Sequence, residues 1–236
     1  MDSISSIAVV AFAALIHASF QLSVSVLTLL GGHSIGSLMS RKKTVRLISG
    51  YVMGAGVMTL LTLSFVAFLL LHIFGTDVPL VVWSVACGIA FGVGIAVWLF
   101  YYRKGFGTPL WIPRSFARHL TARSKQTSQS VEAFSLGLTS VAAELIFILP
   151  TTVLAALILI ELPGVWQLIG VLVYSIISLS GLLIVWAFIG SGKSLSRVQK
   201  WRETNKRFIQ FSAGSALLVL GFFIYVTKVI AEVSGT

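Results

Sequence analysis

Acidic residues are scarce in this chain. Seven aspartates and glutamates stand against seventeen lysines and arginines in 236 residues, and charge of either sign makes up only 10% of the sequence. Soluble domains carry about 25% charged residues, so an ordinary water-facing surface is excluded. Cysteine is nearly absent as well. The single Cys87 excludes an intramolecular disulfide and any Cys-x-x-Cys redox or zinc chemistry carried by this chain alone. Proline occurs five times, and only Pro150 falls inside a long apolar run. No nucleotide motif is intact. Gly190-Ser191-Gly192-Lys193-Ser194 imitates a phosphate loop, but Ala187 stands where its first glycine belongs, and no strand precedes it.

Apolar residues are plentiful: 57% of the chain is hydrophobic, with a mean hydropathy of +0.98. Sixteen of the seventeen basic residues fall in three short stretches, Arg41–Arg46, Arg103–Lys125 and Lys193–Arg207, and only Lys228 lies outside them. Between the stretches run apolar segments long enough to cross a bilayer, which takes about 20 residues of helix. Six qualify: Ile4–Leu30, Val45–Phe74, Leu80–Tyr102, Val131–Ile160, Val165–Ile189 and Phe208–Val226. The basic stretches follow spans one, three and five, so all three fall on one side, where the positive-inside rule puts the cytoplasm. Asp2, Asp77, Glu161 and Glu232 fall on the other side. Met1-Asp2-Ser3 lacks the basic start of a signal peptide, and the first apolar stretch is too long for its core. The expected fold is therefore an all-α integral membrane protein of six transmembrane helices with both termini outside.

The net charge of +10 sits in loops beside apolar spans rather than on a folded basic face, which argues against nucleic acid as a partner. The bilayer itself, with anionic lipids at the basic loops, is the expected partner. A homo-oligomer is compatible with this plan. With no organelle signal, a bacterial cytoplasmic membrane is the expected location, and no cofactor is expected. Residues 103–130, with Pro109, Pro113 and a Ser/Thr/Gln-rich end, read as a cytoplasmic linker between two halves, 1–102 and 131–236. Within the linker, Trp111, Ile112, Phe116 and Leu120 alternate with Arg114 and Arg118, as in a helix lying on the membrane surface; a solvated basic linker explains them equally well.

Three spans on each side of a linker suggest an internal repeat. A shift of 127 residues lays Phe20, Leu22, Val26, Leu27 and Leu30 on Phe147, Leu149, Val153, Leu154 and Leu157, and His17 on Glu144. A shift of 126 brings Gly88, Ala90 and Val93 onto Gly214, Ala216 and Val219. An odd number of spans per repeat makes the second half inverted, and folds of that kind hold their site near the midplane between the repeats.

Glu144 is the only acidic residue well inside a span. A carboxylate at bilayer depth costs about 2.5–3.5 kcal/mol on insertion scales, so it marks a functional position unless a partner explains it. Pro150 removes a backbone donor and is expected to break or kink span four, freeing carbonyls beside Thr151 and Thr152. On a helical wheel Ser140, Glu144 and Thr151 share one face, while in span one His17, Gln21, Ser25 and Thr28 do the same. His17 would ligate a metal, carry a proton or donate to Glu144. If a metal binds anywhere, His17 and Glu144 are its candidate ligands. The bland alternative is that these groups only tie helices together. Gly50-x-x-x-Gly54 and Gly88-x-x-x-Gly92 read as helix-packing motifs, and Tyr174, Ser175, Ser178 and Ser180 as lining on span five.

With these features the chain resembles the lysine-exporter superfamily of six-span transporters built as 3+3 inverted repeats. The likeness rests on the general plan, on Phe208–Val226 with Gly214-Ser215-Ala216-Leu217-Leu218-Val219-Leu220-Gly221, and on Leu15-Ile16-His17-Ala18. The last is similar to the start of the nickel/cobalt-transporter signature His-x4-Asp-His, but Leu22 and Ser23 replace its second part. Of the paired prolines of the amino-acid exporters only Pro150 is present. The resemblance implies transport without naming a substrate. The expected function is a secondary-active transporter, an exporter of a small ion or metabolite, with Glu144, His17, Gln21, Ser25, Thr151 and Thr152 at the site and Pro150 opening the helix. A non-catalytic membrane subunit or sensor is the alternative. An intramembrane enzyme lacks a Gly-x-Ser-x-Gly motif or paired aspartates.

Overall fold

The computed structural model describes residues 2–31, 41–101, 122–123, 127, 129–191 and 195–234. They are helical almost throughout, with no strand among them. Helix α1 (Ser3–Gly31) opens at Asp2, whose backbone carbonyl accepts the Ser6 N–H at 3.0 Å. Hydrogen bonding from the Ser5 side chain, and after it from backbone amides, holds the Asp2 carboxyl below its ordinary range. Helix α2 (Arg41–Phe74) stops at Gly75, which takes φ +71° and returns its N–H to the Leu71 carbonyl at 2.9 Å. Only glycine adopts that left-handed turn at no steric cost. Helix α3 (Leu80–Ala96) starts after Pro79 and runs into a π-helical turn, Val97–Tyr101.

Helix α4 (Ser130–Ile160) begins with a capping box in which the Gln129 N–H donates to Glu132 Oε2 at 3.1 Å. After Pro163 come α5 (Gly164–Ser178) and α6 (Ser180–Gly190). Then α7 (Leu195–Ile224) passes through a π-helical turn, Tyr225–Ile230, into the short α8 (Ala231–Ser234). Among the described residues five helices are long and apolar enough to cross a membrane, and α5 with α6 makes a sixth if the bent pair counts as one span. Their length and composition are compatible with a multi-pass membrane protein.

α4 forms the centre. Its second half is buried almost without interruption from Phe147 to Ile160, against α1, α2 and α3. Glycines bring its backbone against α2: a Cβ on Gly137 would stand 2.2 Å from the Tyr51 carbonyl oxygen, and one on Gly50 2.7 Å from that of Ser130. Backbones that close gain dispersion contact where lipid supplies no hydrophobic drive between helices. α1 packs between α4 and the α5–α6 pair and also meets α7, while α3 lies along α7.

Three expectations are corrected. Pro150 does not break span four; α4 is one helix through it. The Thr151 and Thr152 hydroxyls both donate to the Ile148 carbonyl at 2.8 Å, and in a tightly packed span such side-chain bonds and neighbouring helices carry a proline without a break. The break falls in span five instead, where α5 and α6 bend by 48° around Leu179. Ser175 and Ser178 turn their hydroxyls back onto the carbonyls of Val171 and Ser175 just before it, a bonding pattern that bends helices. Finally, most of the third basic stretch is no loop, because α7 starts at Leu195, well before the expected Phe208. Lys, Arg, Glu and Gln all extend a helix readily. The expected surface helix at 111–120, nearly all of the linker and the Gly-rich turn around His33 lie outside the described residues.

Candidate functional site

One group of buried polar side chains gathers where α1, α4 and α5 meet. His17 of α1 is 1% exposed, and Gln21, one turn on, is 0%. His17 Nδ1 lies 3.0 Å from the hydroxyl of Tyr174 on α5, the two rings edge to face. That hydroxyl lies 3.1 Å from Thr152 Oγ1 and 3.5 Å from Thr151 Oγ1 on α4. The relay ends on the Ile148 carbonyl, which both threonines reach.

Both threonine hydroxyls donate to the Ile148 carbonyl. Tyr174 then either donates to a threonine oxygen and accepts from His17 Nδ1–H, or donates to a neutral Nδ1, and the tautomer of His17 follows from that choice. Nε2 has no hydrogen-bond partner among the described residues, and neither end of the Gln21 amide has one. Burying an unsatisfied donor or acceptor costs about 1–3 kcal/mol, so such groups call for a ligand, a water or a proton.

Glu144 and Ser140 are each 0% exposed on α4. Ser140 Oγ accepts a hydrogen bond from the Tyr51 hydroxyl of α2 at 2.7 Å, so a tyrosine from each half of the chain bonds a hydroxyl of α4. The hydrogen bond of His17 Nδ1 goes to Tyr174, whereas donation to Glu144 was one of three roles open to it from the sequence. Beyond the polar relay, Phe20 and Phe147 stack with ring centroids 5.6 Å apart and 22° between planes, and close the α1–α4 contact with apolar surface.

Of the expected site residues, His17, Thr151 and Thr152 are brought together, and Gln21 and Glu144 are buried on α1 and α4. Pro150 is buried beside the threonines as a helical residue rather than as an opening. Ser25 lies one turn beyond Gln21 on α1, and its side chain is outside the described residues. Sequence reasoning gave Tyr174 only a lining role and passed over Tyr51. The signal for both was a tyrosine in the middle of an apolar span, where a hydroxyl requires a partner. Among the described residues no three His, Cys, Asp or Glu side chains converge to hold a metal ion. Chemically, the arrangement offers a buried imidazole, held at Nδ1 by Tyr174 and with Nε2 unpartnered among the described residues, beside an amide that both donates and accepts. No protein-family model, no curated protein and no solved structure matches this chain.

Proposed function

We propose that the protein is a secondary-active transporter of a small ion or metabolite, an exporter, built from two inverted three-span repeats. Its substrate would bind at His17, Gln21 and Glu144, where the repeats meet. The observation that carries this reading is the buried His17–Tyr174–Thr152 relay, which joins helices of both halves and leaves His17 Nε2 and Gln21 without partners among the described residues. Intramembrane polar groups of this kind mark ion and proton pathways.

Several contacts support the repeat. Phe20 and Phe147, which the shift of 127 lays on each other, are stacked together, as residues beside a pseudo-two-fold axis must be. The same shift relates Gly94 to Gly221 and Phe91 to Leu218. A Cβ on Gly94 would meet the Leu218 side chain at 2.8 Å, and one on Gly221 would meet Phe91 at 3.3 Å, so one contact is the counterpart of the other. The π-helical turns, Val97–Tyr101 and Tyr225–Ile230, overlap under that shift too. Helix neighbours follow suit: α2 against α4 answers α5 against α1, and α3 against α4 answers α7 against α1. The third spans thus fit a shift of 127 rather than 126. On the positive-inside rule, the basic ends of α2 and α7 support a reading in which that end of the bundle faces the cytoplasm and anionic lipid, with both termini outside. The resemblance to the lysine-exporter superfamily points the same way.

The test is a thermal-stability screen of purified protein against cations, amino acids and organic anions, followed by flux of any hit in proteoliposomes. A ligand at a hundredfold excess over its dissociation constant stabilises by about 2.7 kcal/mol. A shift that disappears in Glu144→Gln supports the reading; a flat screen with no flux overturns it.

One observation favours the second reading, an assembly subunit. Gly88 and Gly92 are exposed on α3, and a Cβ on either would meet nothing within 4 Å among the described residues, a close-approach surface that suits another helix. A flat ligand screen together with a stable oligomer that Gly92→Leu dissociates would establish it.

A further inference from the structure

Lys228 is the only basic residue outside the three clusters, and the structure gives it two contacts at the opposite end of the bundle. It sits in the π-helical turn that follows α7. Its ammonium forms an ion pair with Glu161, which ends α4. It also lies 5.2 Å above the ring centroid of Trp83, a side chain 2% exposed near the start of α3. These groups border a cleft of about 540 Å³ that Asp77 and Glu232 also line. A π-helical turn inserts an extra residue and so rotates whatever follows it. Here it carries Lys228 to the point where α3, α4 and the end of α7 converge.

We propose that Lys228 is a latch that closes this end of the bundle, holding α7 onto α4 through Glu161 and onto α3 through Trp83. The latch rests on the transporter reading, in which this end faces outside and has to open and close. Both contacts suit a reversible closure. An exposed ion pair and a cation–π contact are each weak enough for thermal opening, yet both are lost at once when α7 swings away. Lys228 is 18% exposed and Glu161 28%, so water reaches the pair and pays for its separation.

The test uses the scarcity of cysteine. In a Cys87→Ala background, Leu157→Cys places a reporter that is fully buried one turn inside Glu161, and Ala133→Cys places another near the opposite end of α4. The rate of labelling by a water-soluble maleimide in proteoliposomes is then measured. Lys228→Gln and Glu161→Gln are each expected to speed labelling at position 157 about five- to tenfold and to leave position 133 slow. The exchange Lys228→Glu with Glu161→Lys is expected to return labelling towards the parent rate, and Lys228→Arg to keep it slow. Unchanged labelling at 157, an exchange as fast as the single variants, or acceleration at both reporters overturns the latch. Flux measured alongside separates the two claims. Flux without a labelling response removes the latch alone, whereas a labelling response with no flux for any ligand removes the transporter reading and leaves a structural clamp.

Discussion

Gly54 of α2 lies so close to Phe134 of α4 that a Cβ on it would stand 2.0 Å from the Phe134 carbonyl oxygen. No side chain can flex to relieve that contact, because the obstacle is backbone. Gly54→Ala should therefore force α2 and α4 apart and destabilise the protein by about 1–3 kcal/mol or more, as overpacking does elsewhere. Gly88→Ala on α3 is the control. Its Cβ meets nothing within 4 Å, so the variant should match wild type or gain up to about 1 kcal/mol from better helix propensity. Unfolding in mixed micelles monitored by far-UV circular dichroism compares the two, and equal losses would mean the helix pair is packed differently.

Phe147→Ala should cost about 3–5 kcal/mol, since it removes a ring that is 4% exposed and leaves a cavity at the α1–α4 contact. Paired with Phe20→Ala in a double-mutant cycle, it should show a coupling of about 0.5–1.5 kcal/mol from the stacked rings. Additive single effects would place the two rings out of contact.

Tyr174→Phe removes the centre of the relay while keeping its volume. His17 Nδ1 then loses its partner, and the variant should be destabilised by about 1–3 kcal/mol. A structural cross-link predicts only that loss. The proposed function predicts in addition that flux falls, because the His17 ring that would face the substrate loses the bond that orients it. Flux measured beside stability separates these outcomes.

Pro150→Ala probes the uninterrupted α4. If the proline opened the helix to form the site, the variant would abolish ligand-induced stabilisation. The continuous helix predicts that it is retained, with stability within about 1.5 kcal/mol of wild type as the restored N–H offsets the lost ring contacts.

The sequence by itself determined the helical class, the ends of most spans and the buried polar residues. Hydropathy and loop charge act along the chain, and a bilayer has one thickness and one charged side. Helix ends were legible where a local signal stood, as with Gly75, Pro79 and Pro163. His17, Gln21 and Glu144 were legible because a polar side chain is conspicuous in an apolar span. Only the tertiary structure decided who meets whom. A proline looks like a break until Thr151, Thr152 and the surrounding helices hold the turn, whereas the bend at Leu179 carries no proline to announce it. Gly50-x-x-x-Gly54 and Gly88-x-x-x-Gly92 are the same motif, yet one is pressed against α4 and the other meets no neighbour among the described residues. His17 pairs with Tyr174, 157 residues away, because two helices happen to bring them to the same depth. Periodicity gives the face a residue occupies on its own helix; the partner across the gap depends on helix rotation and depth, which no local pattern encodes.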